Sequence, residues 1–134
     1  MCMFTFQEKE QIAQTDIECW KVVHFTTGVF GREIVVTPIQ KRRISRRILS
    51  GKSYFRARGT KEAYVYDKRS GERVVKRGFI HVFSNIEAAQ KSFNASYFSS
   101  FTDQIRKCVI PAGTKYYKSS DKWNEYAARE IKFV

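Results

Sequence analysis

An α+β fold is what this sequence predicts: a mainly antiparallel, curved sheet, one long helix after the run GFIHVF (78–83), and a shorter helix near the N-terminus. Three observations carry that expectation. Short runs rich in β-branched and aromatic residues recur along the chain, as strands do. Gly and Pro punctuate them. Two stretches place good helix formers behind a capping residue.

Taken in order, residues 5–14 (TFQEKEQIAQ) predict the short helix, with Thr5 as N-cap and Glu8 at the capping-box spacing. IECWKVVHF (17–25) and REIVVT (32–37) read as strands, the second stopped by Pro38. KRRISRRILSGK (41–52) spaces Ile44, Ile48 and Leu49 as a short amphipathic helix ending near Gly51, with arginines on its outer face. Strands are expected at 53–58 and 62–67, then a hairpin turn at Lys68-Arg69-Ser70-Gly71 and a return at 73–76. In GFIHVF, alternation puts Phe79, His81 and Phe83 on one face and Ile80 and Val82 on the other. Ser84 or Asn85 caps the long helix, whose buried stripe is Ile86, Ala89 and Phe93. QIRKCVI (104–110) alternates as a strand, Pro111-Ala112-Gly113 turns, and 114–118 resumes. Residues 121–128 predict a short helix and 131–134 a last strand.

Length and composition fit one domain over residues 1–134. Hydrophobic residues make up 43%, and 11 Phe, 7 Tyr and 2 Trp exceed what a disordered chain carries, so a packed core is expected. No apolar run approaches a membrane helix, and the start MCMFTFQEKEQ lacks the pattern of a secretory signal. Three widely spaced cysteines and two histidines offer neither a disulfide framework nor a zinc site. A reducing cytoplasmic location follows as the simplest expectation. GVFG and SGK are too short for a phosphate loop, so no cofactor is expected.

The net charge of +12 is local. Block 41–77 holds 14 Lys or Arg against Glu62, Asp67 and Glu72, whereas the rest of the chain carries 11 basic and 10 acidic residues. One concentrated block is the footprint of a polyanion site. Lys41, Arg42, Arg43, Arg46, Arg47, Lys52, Arg56, Arg58, Lys68 and Arg69 are the candidate phosphate contacts. Tyr54, Phe79 and Phe83 are candidates for stacking on exposed bases. RGFIHVF also partly matches the third-strand motif of the RNA-recognition fold. The expected activity is therefore a non-catalytic binding module for nucleic acid or another polyanion. The alternative is an accessory or inhibitor protein presenting the same face to an acidic protein partner.

Two resemblances add to this. Cys19-Trp20-Lys21-Val22, Gly78-Phe79-Ile80-His81-Val82-Phe83, Ala88-Ala89, the run from Cys108 to Tyr117 (CVIPAGTKYY) and Tyr126-Ala127-Ala128 before Ile131 resemble a pattern in small uncharacterised proteins of bacteriophages and gut-type bacteria. That resemblance implies a compact β-rich domain. The order of elements also looks like that of ADP-ribosyltransferases, where an early His or Arg and a late Glu hold and cleave NAD. It would give His24 or His81 the first role and Glu130 the last.

Overall fold

The structure, a computed structural model, describes residues 9–37, 40–67, 71–94, 103–119 and 124–134. Its strands in chain order are β1 (Gln11–Ile12), β2 (Ile17–Thr27), β3 (Glu33–Val36), β4 (Arg43–Ile44), β5 (Phe55–Arg56), β6 (Ala63–Asp67), β7 (Gly71–Val75), β8 (Ile80–Phe83), β9 (Asp103–Ile110), β10 (Lys115–Lys118), β11 (Glu125–Ala128) and β12 (Glu130–Phe133). Two helices join them, α1 (Arg46–Leu49) and α2 (Ile86–Asn94). Neither is long and apolar enough to cross a membrane.

The sheet is organised by its longest strand. β2 pairs antiparallel with β9 from Ile17 opposite Ile110 to His24 opposite Asp103. Period-2 alternation sends Cys19 and Val23 into the main core, while Val22 goes to the opposite face and packs with Trp20, Phe83 and the Ala89 of α2. β8 joins the other edge of β2 at Trp20 opposite Phe83, and β11 pairs along β8. β12 pairs with β9 at Phe133 opposite Cys108, and also with β5. Only Arg129 separates β11 from β12. The pairings therefore run in a closed circuit, β8 to β2 to β9 to β12 and back through β11 to β8. Across Arg129 the inward side switches from Ala128 to Ile131, so two consecutive residues, Arg129 and Glu130, point away from the core. That is the signature of a bulge, which lets one length of chain bend and serve two pairings. Cys19, Val23, Ile80, Val82, Cys108, Ile110, Ala128, Ile131 and Phe133 fill the interior, and Ile44, Phe55 and Ala57 close one side. β6 and β7 form a separate antiparallel hairpin.

The free edge of β2 is shared. β8 holds it at Trp20, and β3 takes it over from His24 to Thr27. Where β8 and β3 part, the carbonyls of β8 have no strand to bond, and a buried carbonyl without a donor is costly. Side chains fill the fork. The Lys21 ammonium donates to the His81 carbonyl at 2.7 Å, and the Gln40 amide donates to the carbonyls of Phe79 (3.1 Å) and Lys61 (3.0 Å). Lys21 is itself buried, and burial pulls its pKa down to about 8.

α1 sits between β4 and β5, begun by Ser45, whose hydroxyl accepts from the Ile48 N–H, and ended at Gly51. Gly51 has φ +80°, and a Cβ there would lie 2.4 Å from the Phe133 carbonyl oxygen. Both facts exclude a side chain. Gly51→Ala is expected to destabilise the fold by at least about 1–2 kcal/mol from the backbone conformation alone, with the contact adding to it. Urea denaturation checks this.

Several expectations need correction. The chain is a mostly β protein built on antiparallel sheet, not an α+β fold with a long helix. The helical segment after Phe83 is α2, nine residues long. Its cap is Asn85, whose side-chain oxygen accepts from Ala88 N–H at 2.7 Å. Ala89 is buried, but Ile86 is half exposed, and the Phe93 side chain lies outside the described residues. The N-terminal helix is not formed over 9–14: Gln11 and Ile12 pair with Tyr116 and Lys115 as an edge strand, while 5–8 lie outside the described residues. Residues 125–128 are strand, not helix. Their helix-favouring composition yields to pairing on both edges, with β8 and with β10.

Candidate nucleic-acid interface

The first half of the basic block lies on consecutive short elements at one side of the barrel. In β4, Ile44 is buried and Arg43 beside it is exposed. In α1, Ile48 and Leu49 pack against the core, which turns Arg46 and Arg47 outward. In β5, Phe55 is buried and Arg56 exposed. Lys41, Lys52 and Arg58 are exposed in the connecting turns. Arg42 is the exception: its guanidinium donates to the Arg58 carbonyl, and its backbone exchanges hydrogen bonds with Thr37, so it braces the loop.

These residues enclose an open cavity of about 240 Å³ lined by Arg42, Arg43, Ile48, Ser53, Tyr54, Phe55 and Arg56. Tyr54 is 41% exposed on its rim. Arg56 opposes Glu130 across the β5–β12 pair, with Nε 3.3 Å from the carboxylate. Continuing that register brings Lys132 opposite Tyr54, and its ammonium lies 5.5 Å from the ring centroid. Cationic groups thus border an exposed aromatic face in a concave setting. Such a surface can neutralise phosphates and offer one ring for stacking.

Other candidates are placed differently. Phe79 and Phe83 are each 4% exposed and cannot receive a base. Phe79 is covered by the Arg129 guanidinium, 4.2 Å from its ring centroid, and by Tyr117. Phe83 packs beneath α2. The buried rings and the closed circuit of strands also part from the open four-stranded sheet of the RNA-recognition fold. Lys68 and Arg69 lie outside the described residues.

His81 and Glu130 are not brought together. Glu130 is held by Arg56, whereas His81 Nε2 lies 3.4 Å from the buried Glu125 carboxylate, and its ring meets Phe83 edge-on at 4.8 Å. Glu125 is anchored by its own backbone, whose N–H donates to the Ser119 hydroxyl and whose carbonyl accepts from the Ser119 N–H. This pair sits between sheet and cover and reads as structural. Among the described residues, no group of three His, Cys, Asp or Glu side chains could hold a metal ion.

Sequence reasoning missed Lys132, which is remote from the block in the chain. The signal was present: Ile131 and Phe133 turn inward, so Lys132 between them must turn out. No protein-family model, curated protein or solved structure matches this chain.

Proposed function

We propose that the chain is a non-catalytic binding module that engages nucleic acid through the face built by β4, α1 and β5. The observation that carries this reading is the clustering of exposed Arg43, Arg46, Arg47, Lys52, Arg56 and Arg58 around a cavity with Tyr54 at its rim. Phosphates are held by the guanidinium and ammonium groups, and binding is driven largely by counterion release. Tyr54 supplies stacking on an unpaired base, which favours single strands over duplex. A cytoplasmic location, where thiols stay reduced, belongs to the same reading.

In a titration against a single-stranded oligonucleotide, the double variant Arg46→Glu, Arg47→Glu is expected to bind at least about tenfold more weakly. The slope of log affinity against log salt should fall by about 2, one for each lost phosphate contact. Both side chains are exposed, so the melting temperature should hold. Unchanged affinity and slope would remove this face from the interface.

The Arg56–Glu130 pair favours one further reading, because it shows the surface accommodating a carboxylate. An acidic protein partner would use the same guanidinium groups. A partner captured from lysate that survives nuclease treatment would support it. The NAD-cleaving enzyme finds no support in the geometry, since His81 and Glu130 have separate partners.

A further inference from the structure

Away from the basic face, one juxtaposition is not explained by packing alone. Cys19 in β2 and Cys108 in β9 are directly opposite in the strand register. Their sulfurs are 3.1 Å apart, neither residue has any exposed surface, and they are 89 positions apart in the chain. Lys21, two residues along β2, sends its side chain to the same side, where its charge acts on both thiols.

We propose that Cys19 and Cys108 are a latent cross-strand disulfide, a covalent bond that an oxidant of the low-molecular-weight disulfide class closes between the two central strands. One cysteine attacks a sulfur of the oxidant, whose S–S bond breaks and releases one thiol. The second cysteine then attacks the first one's sulfur and releases the other thiol. In total two Sγ–H bonds break and one Sγ–Sγ bond forms. The two protons and two electrons end on the two thiols made from the oxidant.

The reduced pair is guarded in the native state. Burial, reinforced by the hydrogen bond with Cys19, pushes the Cys108 thiol well above its ordinary pKa, and a thiol rather than a thiolate is a poor nucleophile. Closure therefore proceeds when the strands open or before they close. Lys21 eases it there: an amine buried to a pKa of about 8 can take up a proton released by a neighbouring thiol. In a reducing compartment the pair stays open, and an oxidising shift would clamp β2 to β9.

The test uses the full chain with Cys2→Ser, so that Cys19 and Cys108 are its only thiols. The protein is refolded from urea in a reduced and oxidised glutathione buffer, so that burial does not shield the sulfurs, then unfolded again in excess iodoacetamide and weighed. A closed pair takes up no alkyl group, weighs about 2 Da less than the reduced protein, and melts about 5–15 °C higher, a gain that dithiothreitol reverses. Adding Cys108→Ala to this background should abolish the gain. Two alkylated cysteines, a lasting glutathione adduct in place of the pair, or a gain that persists in Cys108→Ala would each overturn the proposal.

Discussion

Phe133→Ala is expected to remove about 4 kcal/mol of folding stability, the largest effect of any single truncation considered for this molecule. Phe133 is 1% exposed and stands where three parts of the fold meet. Its backbone pairs with Cys108 across β9, its ring fills the main core, and its carbonyl oxygen lies against Gly51 at the end of α1. Removing the ring leaves a void in a wall made of paired strands, which cannot collapse inward without breaking their pairing. Collapse is what moderates such losses elsewhere, so the cost belongs at the upper end of the range for aromatic truncation. A domain of this size is stable by about 5–15 kcal/mol, so the loss is a large share of the total. Guanidinium denaturation should show a lower midpoint with an unchanged slope. A loss under about 1 kcal/mol would mean that the core does not close around this ring.

Lys21→Met should reshape the dependence of stability on pH. The folded pKa of Lys21, about 8, is below the model value of 10.5. Between those values the unfolded chain binds the proton and the folded chain does not, so stability rises with pH across the window. Integrated, this group contributes a rise of about 3 kcal/mol between pH 8 and 10.5, and below pH 8 the penalty is constant. Cys108 works in the opposite sense. Its folded pKa is raised above 9.0, so it loses stability as pH climbs past that value. Cys19, which also faces the amine, and Tyr126, whose phenol is pushed up by burial, are present in both proteins. The difference between wild type and Lys21→Met therefore isolates the lysine. That difference should move in favour of the wild type by about 3 kcal/mol as pH rises from 8 to 10.5. A flat difference would show that the amine keeps its proton in the folded state. At neutral pH the substitution removes a buried charge but leaves the His81 carbonyl without its donor, so two effects of similar size oppose each other.

What was readable in the chain was the local alternation. Ile80-His81-Val82-Phe83 and the run to Ile110 carry period-2 patterns strong enough to place strands and inward residues, and Ser45 to Gly51 carries a helix start and stop. Residues 125–128 were misjudged because Glu, Tyr, Ala and Ala favour a helix when no partner strand is known, and the partners are 40 positions earlier in β8 and 10 earlier in β10. Gln11 and Ile12 failed in the same way. The closed circuit depends on one bulge at Arg129, which no composition or spacing announces. Lys21 looked like any charged residue, although Cys19 and Val23 two positions to either side placed it on the buried face. At the candidate interface, the arginines could be read as a run, but their orientation depended on which of Ile44, Ile48, Leu49 and Phe55 reached the core. Phe79 and Phe83 shared a face as the alternation implied. That the face is covered by α2 and Arg129 is a tertiary fact.

The circuit of strands also sets an order of events in time. β2 lies near the start of the described chain, and its long partner β9 and the strand that completes the ring, β12, are near its end. During synthesis the ribosome must deliver Phe133 before the barrel can shut, so the inward side chains of β2 wait unpaired while roughly a hundred residues follow, at about 5–20 residues per second. Contacts this distant in sequence make for slow folding, in the millisecond-to-second range of barrels and sandwiches. Through that interval Cys19 and Cys108 are open to small molecules, and the redox state in which the protein leaves the ribosome decides which form of the finished barrel the cell receives.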